Sequence, residues 1–311
     1  MTISFIISIL ISLVIALLAI AFYTLLERKI LGYFQTRKGP NKVRLIGIPQ
    51  PLADALKLFL KEQNMPSEAN ILPFIISPIL SLVLARFLWI IYPHIFSSFH
   101  ISFSVILFLA ISSFNAYTTL GAGWTSNSKY ALLGALRRIA QTISYEISIA
   151  LVLITPLIIL VSFRFYKFNY YINYPLVISI SLISILWFIT ALAETNRSPF
   201  DLAEGESELV SGFNTEYSGG EFTLIFMAEY INILVIRLFT TLIFLSCLSL
   251  NILYAPLLII KLLLVRIIFI WIRATLPRIR YDRLINLTWK IFLPISIRLF
   301  FISRIVIFIL I

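Results

Sequence analysis

An all-α integral membrane fold is predicted, and three features of the chain predict it. Hydrophobic residues make up 60% of 311 residues and charged ones 13%, with a mean hydropathy of +0.99; a soluble domain carries about 45–50% apolar and about 25% charged residues. Eight apolar stretches approach the ~20 residues that a helix needs to cross a bilayer. Their Ile, Leu, Val and Phe run continuously instead of alternating, the pattern of helices whose backbone bonds close internally, which excludes a barrel.

The expected spans lie within one membrane domain, 1–311, at about 2–26, 71–91, 101–120, 141–163, 175–193, 222–250, 255–272 and 288–310. The first has no basic leading region and no small-residue cleavage site, so it reads as helix one and not as a removable leader. It ends at Glu27-Arg28-Lys29, and Arg37-Lys38-Gly39-Pro40 then makes a basic turn. Leu52, Leu56, Phe59 and Leu60 follow at helical spacing, with Asp54, Lys57 and Lys61 on the other side. That is a short amphipathic helix suited to lying in the membrane interface, either as a simple lipid contact or as a doorway between lipid and the charged loops.

The fourth span opens on Gln141, Thr142, Tyr145 and Glu146, and the sixth holds Glu229 with Asn232 about 60° away around the helix. Ionisable groups in spans cost about 2.5–3.5 kcal/mol on insertion scales and face a polar interior. Between the fifth and sixth spans the acidic loop 194–221 holds Glu194, Asp201, Glu204, Glu206 and Glu208. Ser198-Pro199 with Asp201 reads as a helix start and Gly212 as its end, giving a short helix over 199–211. Asp201, Glu204 and Glu208 then share a face that Glu206 does not. Such a stripe of like charge near an apolar interior is either a solvated face paired with basic loops such as 273–290, or a set of carboxylates holding fewer protons than sites, hence a proton relay.

Seventeen Lys and Arg fall in the connections after odd-numbered spans, against Arg164 and Lys167 on the other side. The positive-inside rule therefore puts the large loops in the cytoplasm-equivalent compartment and both termini opposite. The net charge of +11 is explained by basic loops at an anionic membrane surface and requires no nucleic acid. Cys247 is the single cysteine and His94 and His100 the only histidines, and neither a GxGxxG nor a Walker sequence is present. A metal or iron-sulfur site on this chain is not expected, and any electron carriers belong to partners. Two functions remain: a proton-coupling subunit of a redox enzyme, or a stand-alone proton or cation transporter, a class that commonly shows internal repeats absent from this sequence.

Several longer stretches carry a family likeness: Leu-Leu-Glu-Arg-Lys-Ile-Leu-Gly-Tyr at 25–33, Gln-Pro-Leu-Ala-Asp-Ala-Leu-Lys-Leu-Phe at 50–59, Gly-Trp-Thr-Ser-Asn-Ser-Lys-Tyr-Ala-Leu-Leu-Gly-Ala-Leu-Arg at 123–137, Ala-Gln-Thr-Ile-Ser-Tyr-Glu at 140–146, the whole block from Glu194 to Tyr217, Phe-Met-Ala-Glu-Tyr at 226–230, and Trp-Ile-Arg-Ala-Thr-Leu-Pro-Arg-Ile-Arg-Tyr-Asp at 271–282. With these the chain resembles subunit 1 of the respiratory NADH:ubiquinone oxidoreductase, complex I, in its mitochondrially encoded form. The resemblance implies eight transmembrane helices in the mitochondrial inner membrane, with large charged loops on the matrix side and both termini on the intermembrane-space side. It implies a subunit that forms much of the ubiquinone chamber and couples quinone reduction to proton translocation. Its partners would be the matrix-side quinone-reducing subunits, the membrane antiporter-like subunits, ubiquinone and membrane lipids. FMN and iron-sulfur clusters would sit on partner subunits. By motif match Glu194, Asp201, Glu204, Glu208, Glu146 and Glu229 would be the coupling carboxylates, and Arg28, Phe200, Phe213 and Arg273 would face the quinone.

Arg86, Arg237, Lys261, Arg266, Arg298 and Arg304 depart from that pattern, since they lie in or near apolar segments where an unpaired cation is costly. They must pair or snorkel, unless a mitochondrial gene read with the standard code has placed arginine at codons that several animal mitochondria decode as serine; peptide masses covering 237 and 266 separate the two.

Overall fold

The computed structural model describes residues 2–43, 46–92, 101–160, 162–165, 167–168, 175–202, 205, 210–246 and 254–310. His94, His100, Glu204, Glu206, Glu208 and Cys247 lie outside the described residues. Six helices are long and apolar enough to cross a membrane among the described residues, and the chain is read as a multi-pass membrane protein on that ground.

Helix α1 (Thr2–Phe34) runs past the expected end at 26. It continues because its charges find partners: Arg28 pairs with Asp54 at 2.6 Å, and Lys29 Nζ donates to the Ile46 carbonyl at 2.6 Å. Helix α2 (Gln50–Leu60) is the expected amphipathic element; Leu52, Leu56, Phe59 and Leu60 are exposed, while Asp54 on the other side also accepts from Gln50 at 2.8 Å. Helices α3 (Ile71–Ile91) and α4 (Ser104–Thr125) match the second and third expected spans.

Helix α5 (Lys129–Leu160) starts well before the expected 141. Hydropathy drops at Arg137 and Arg138, yet α5 carries both, and Arg138 turns inward at 4% exposure. The fifth expected span is divided into α6 (Leu176–Ser179) and α7 (Ser181–Glu194), with Ile180 between them at φ −132° and ψ 58°. Fourteen residues of α7 reach about 21 Å, short of the ~30 Å hydrocarbon core.

Helix α8 (Gly219–Phe244) lies at the centre: 72% of its apolar window is buried, against 17% for the C-terminal helix. Its Glu229, Asn232 and Arg237 would be costly facing lipid, which favours a place inside the bundle. It packs on α3 and on α9 (Tyr254–Thr275), α3 packs on α4, α4 on α5, and α9 reaches α1. Phe239 of α8 is fully buried, edge-on to Phe108 at 4.9 Å and stacked on Phe165 at 4.4 Å. Helix α9 carries Lys261, Arg266 and Arg273 spread along its length, which sets it apart from the six helices that hold a long apolar window. Helix α10 (Tyr281–Leu287), a π-helical turn (Thr288–Phe292) and α11 (Leu293–Leu310) follow one another and close the bundle against α5.

Hydroxyls within the spans turn back to the carbonyl three residues earlier, as Ser148 does to Tyr145, Thr240 to Arg237 and Thr241 to Leu238, each at 2.7 Å. Without water, that is where a lone hydroxyl can bond.

The expected helix over 199–211 does not start where its sequence signal puts it. Residues 197–202 form turns, with Phe200 N donating to Arg197 O at 2.9 Å and Leu202 N to Phe200 O at 3.1 Å. The cause is tertiary: Gln141 Nε2 donates to the carbonyls of Ala193 and Phe200 at 3.0 and 2.9 Å, and Ile279 N donates to Pro199 O at 3.0 Å. These contacts tie Pro199 and Phe200 to the connection before α10 and to α5, and hold them in turns.

Where the acidic segment returns at Gly212–Asn214, it lies directly on Gly134 of α5; a Cβ there would stand 2.9 Å from Phe213 N and 3.0 Å from both Gly212 C and Gly212 Cα. Gly134→Ala is therefore expected to destabilise the bundle by ~1–3 kcal/mol, seen as a lower apparent Tm of the assembled protein in membranes, whereas Gly121→Ala, whose Cβ would meet only Ser77 Cβ at 3.6 Å, should leave the Tm within a degree or so of the parent.

Candidate functional site

Two charged clusters lie on adjacent faces of α8. Glu229, Asn232 and Ile236 follow one another at i, i+3 and i+7 and line one cavity, while Tyr230 and Arg237 point about 100° away toward α1.

The inner cluster joins α4, α5, α7 and α8. Arg138 Nη1 donates to Glu229 Oε1 at 2.7 Å, and the guanidinium lies over the Phe213 ring at 4.8 Å. Their side chains are 5% and 16% exposed, so the pair is largely out of water. Beside them is a cavity of about 20 Å³ lined by Ser112, Asn115, Arg138, Glu194, Thr195, Asn196, Glu229 and Asn232 among others. A neighbouring one of about 10 Å³ is lined by Ser112, Glu146 and Glu194 together with apolar Phe108, Ile149, Trp187, Ala191 and Ile236. Phe108, Ser112, Glu194 and Ile236 border both, so Glu194 stands between a cavity that Glu229 lines and one that Glu146 lines. Volumes of that order hold about one water each. Among the described residues Arg138 is the one cation in the linings of the two cavities, against three carboxylates.

The outer cluster ties α1 to α8 and α9. Glu27, buried at 4%, accepts from Tyr230 OH at 2.9 Å through one oxygen and pairs with Arg273 through the other. Arg197 lies over the Tyr230 ring at 4.7 Å. Arg237 is held between the rings of Tyr23 and Phe269 at 4.9 and 4.8 Å and donates to the Tyr23 hydroxyl. Tyr23 and Glu27 are four residues apart, on one face of α1.

The remaining expected site residues fall as follows. Asp201 pairs with Arg278 at 3.2 Å, which brings the acidic segment to the connection before α10. Phe200 is buried against Tyr145 at 6.0 Å. Phe213 lies under Arg138 in the inner cluster and Arg273 in the outer one. Arg28 is apart from both, on the outside of α1 with Asp54. Of the basic residues in apolar segments, Arg237 is paired as described, Lys261 Nζ donates to Leu245 O at 2.8 Å, and Arg298 and Arg304 face outward. The Nε atoms of Arg86, Arg237 and Arg266 are buried with no hydrogen-bond partner.

Sequence reasoning passes over Glu27, Tyr230 and Arg138 as site residues. Glu27 looks like an ordinary charge at a span end, and only the Tyr23–Glu27 spacing hints at an inward polar face. Tyr230 is hidden by its neighbour Glu229. Arg138 sits beside the unremarkable Arg137, and nothing in the local pattern says which of the two turns inward. Among the described residues no group of three His, Cys, Asp or Glu is placed to hold a metal ion.

The family model for NADH dehydrogenase matches residues 7–304. The chain belongs to the NADH dehydrogenase family. Among family members named NADH-ubiquinone oxidoreductase chain 1, the protein of Lampetra fluviatilis is 50% identical over 297 residues, covering 94% of this chain and 92% of its own. That of Heterololigo bleekeri is 48% identical over 292 residues, 91% of each chain, and that of Aedes aegypti 48% over 296 residues, 94% and 93%. Similarity to chain 1 of NADH-ubiquinone oxidoreductase thus spans both clusters and every helix that carries them.

Arg273→Leu should strand Glu27 in the NADH dehydrogenase fold. With Arg197 still close, the expected cost is about 2–3 kcal/mol, below the ~3–5 of a wholly unpaired buried charge. The double variant Glu27→Gln/Arg273→Leu should recover at least half of the loss in apparent Tm; a double variant as unstable as the sum of the singles would show that the pair is not the source.

Proposed function

We propose that this chain is a core membrane subunit of a mitochondrial NADH-ubiquinone oxidoreductase, forming much of the ubiquinone chamber and coupling quinone reduction to proton translocation. The observation that carries this reading is that Glu146, Glu194 and Glu229 line two adjoining cavities within the bundle, in a chain whose relatives bear that enzyme's name. Reduction of a quinone headgroup to the quinol takes up two electrons and two protons. Charge appearing or leaving beside a water-poor carboxylate group changes proton affinity there strongly, because screening is weak.

In this reading Glu194, Asp201, Glu204, Glu208, Glu146 and Glu229 carry the coupling. Arg28, Phe200, Phe213 and Arg273 face the quinone path. The amphipathic α2 lies in the membrane interface at the mouth of that path, its exposed Leu52, Leu56, Phe59 and Leu60 toward lipid. Helices α6 with α7, and α9, add to the six apolar helices to make eight spans, with the charged loops in the matrix and both termini in the intermembrane space. The matrix-side quinone-reducing subunits and the membrane antiporter-like subunits are the partners, and FMN and iron-sulfur clusters reside on other subunits. A stand-alone transporter is not favoured: the chain shows no internal repeat, and basic residues gathered on one side suit docking of soluble subunits.

Glu229→Gln keeps the shape of the side chain and removes its charge. In the assembled enzyme it should lower proton translocation linked to quinone reduction at least several-fold, while NADH oxidation by ferricyanide, which bypasses quinone, stays at the parent rate. Undiminished proton translocation would remove Glu229 from the path. A photoreactive quinone analogue should tag this chain within 28–60 or 194–217, and tagging confined to other chains would reject the chamber.

A further inference from the structure

Pro78 stands inside α3 and has no N–H, so the carbonyl of Phe74, four residues earlier, loses its helical donor. Phe74 is buried at 1% exposure and has no water to take instead. Two side chains fill the gap: Ser77 Oγ and Tyr217 OH each donate to Phe74 O at 3.3 Å. Tyr217 comes from the far end of the acidic segment, 143 residues away in sequence.

The fit around Tyr217 is close. Its ring stacks on Phe74 at 4.2 Å with 3° between planes. Its hydroxyl lies 3.1 Å from Ser77 Oγ and 3.5 Å from Ala122 O, a carbonyl in the last turn of α4, where helices leave acceptors open. Burial pushes the Tyr217 hydroxyl above its ordinary pKa, so it stays a protonated donor. The next two residues are held from the other side. Ser218 Oγ accepts from Asn64 N at 2.9 Å, and Gly219 takes φ +55° where a Cβ would stand 2.9 Å from Lys61 O. Residues 217–219 are thus clamped between α3 and the connection after α2, directly ahead of α8.

We propose that Tyr217 is a positioning residue: by taking the carbonyl that Pro78 leaves open, it locks the exit of the acidic segment onto α3 and sets the register in which α8 presents Glu229. A helix is stiff over ten residues, about 15 Å, so fixing its start fixes Glu229. The functional consequence rests on the coupling role proposed above; the lock does not.

The test uses the assembled enzyme and a cycle of Tyr217→Phe and Pro78→Ala. Tyr217→Phe keeps the stack and removes the donor. Pro78→Ala restores an N–H to a carbonyl that has two lone pairs and already takes two donors, so the tyrosine is displaced. Each single variant should speed hydrogen exchange of amides 217–222 roughly fivefold to tenfold, and the double variant should be no faster than the faster single, because all three lose the same bond. Unchanged exchange in Tyr217→Phe, or additive effects in the double, overturns the lock. Tyr217→Phe should also lower the protons moved per electron pair; a parental ratio in Tyr217→Phe, where Glu229→Gln lowers it, overturns the positioning role. If Glu229→Gln itself leaves the ratio intact, the coupling reading fails, and exchange alone decides on the lock.

Discussion

A charged side chain inside a bundle of apolar helices must find a partner, and in this chain one helix carries most of that burden. Helix α8 holds Glu229, Tyr230 and Arg237 within a stretch rich in Ile, Leu, Val and Phe. Because successive residues are turned by about 100°, these groups cannot share one counter-charge. The helix instead recruits α5 on one side through Arg138 and α1 on the other through Glu27 and Tyr23. Those contacts act on the neighbouring helices together with close apolar packing, the two forces that associate helices in lipid. The two clusters are therefore joined by a rigid element. A shift of α8 that lengthens one set of contacts is felt by the other.

The bundle itself was legible from hydropathy, and so was the amphipathic α2. What hydropathy misplaces are helix ends beside charges. α1 was expected to stop at 26 and α5 to begin at 141, since Glu27, Arg28, Arg137 and Arg138 read as water-facing; the structure keeps the helices going by pairing Glu27, Arg28 and Arg138. The start signal at Ser198-Pro199 fails for the opposite reason. It is a local rule, and Pro199 and Phe200 are claimed instead for turns by Gln141, more than fifty residues earlier in the chain, and by Ile279, which lies later. No window of sequence contains both the claimant and the claimed.

The candidate site divides along the same line. Glu146, Glu194 and Glu229 stand out in the sequence because a carboxylate in or beside a span is costly, and they line two cavities that adjoin at Glu194. Asp201, of the stripe expected with Glu204 and Glu208, pairs with Arg278, within the basic connection 273–290 that the sequence offers as its counterpart. Arg138 and Glu27 were hidden by basic neighbours that look equivalent to them or to their partners. Selection of which of two adjacent charges turns inward is made by the facing helix, and a facing helix is invisible in a one-dimensional pattern.

The pairing of Glu27 with Arg273 also orders events in time. The partners are 246 residues apart, so during synthesis α1 enters the bilayer with its carboxylate unanswered while most of the chain has yet to be made. An insertion cost of about 2.5–3.5 kcal/mol for such a group is tolerable for a helix this apolar, but it keeps the early helices loosely associated. Tyr230, on α8, is the first of the two direct partners to emerge, and Arg273 completes the set only when α9 has been threaded. Closure of the outer cluster is thus a late step that reports completion of the chain through α9, and a product truncated before α9 would present an open, acidic seam for quality control to recognise.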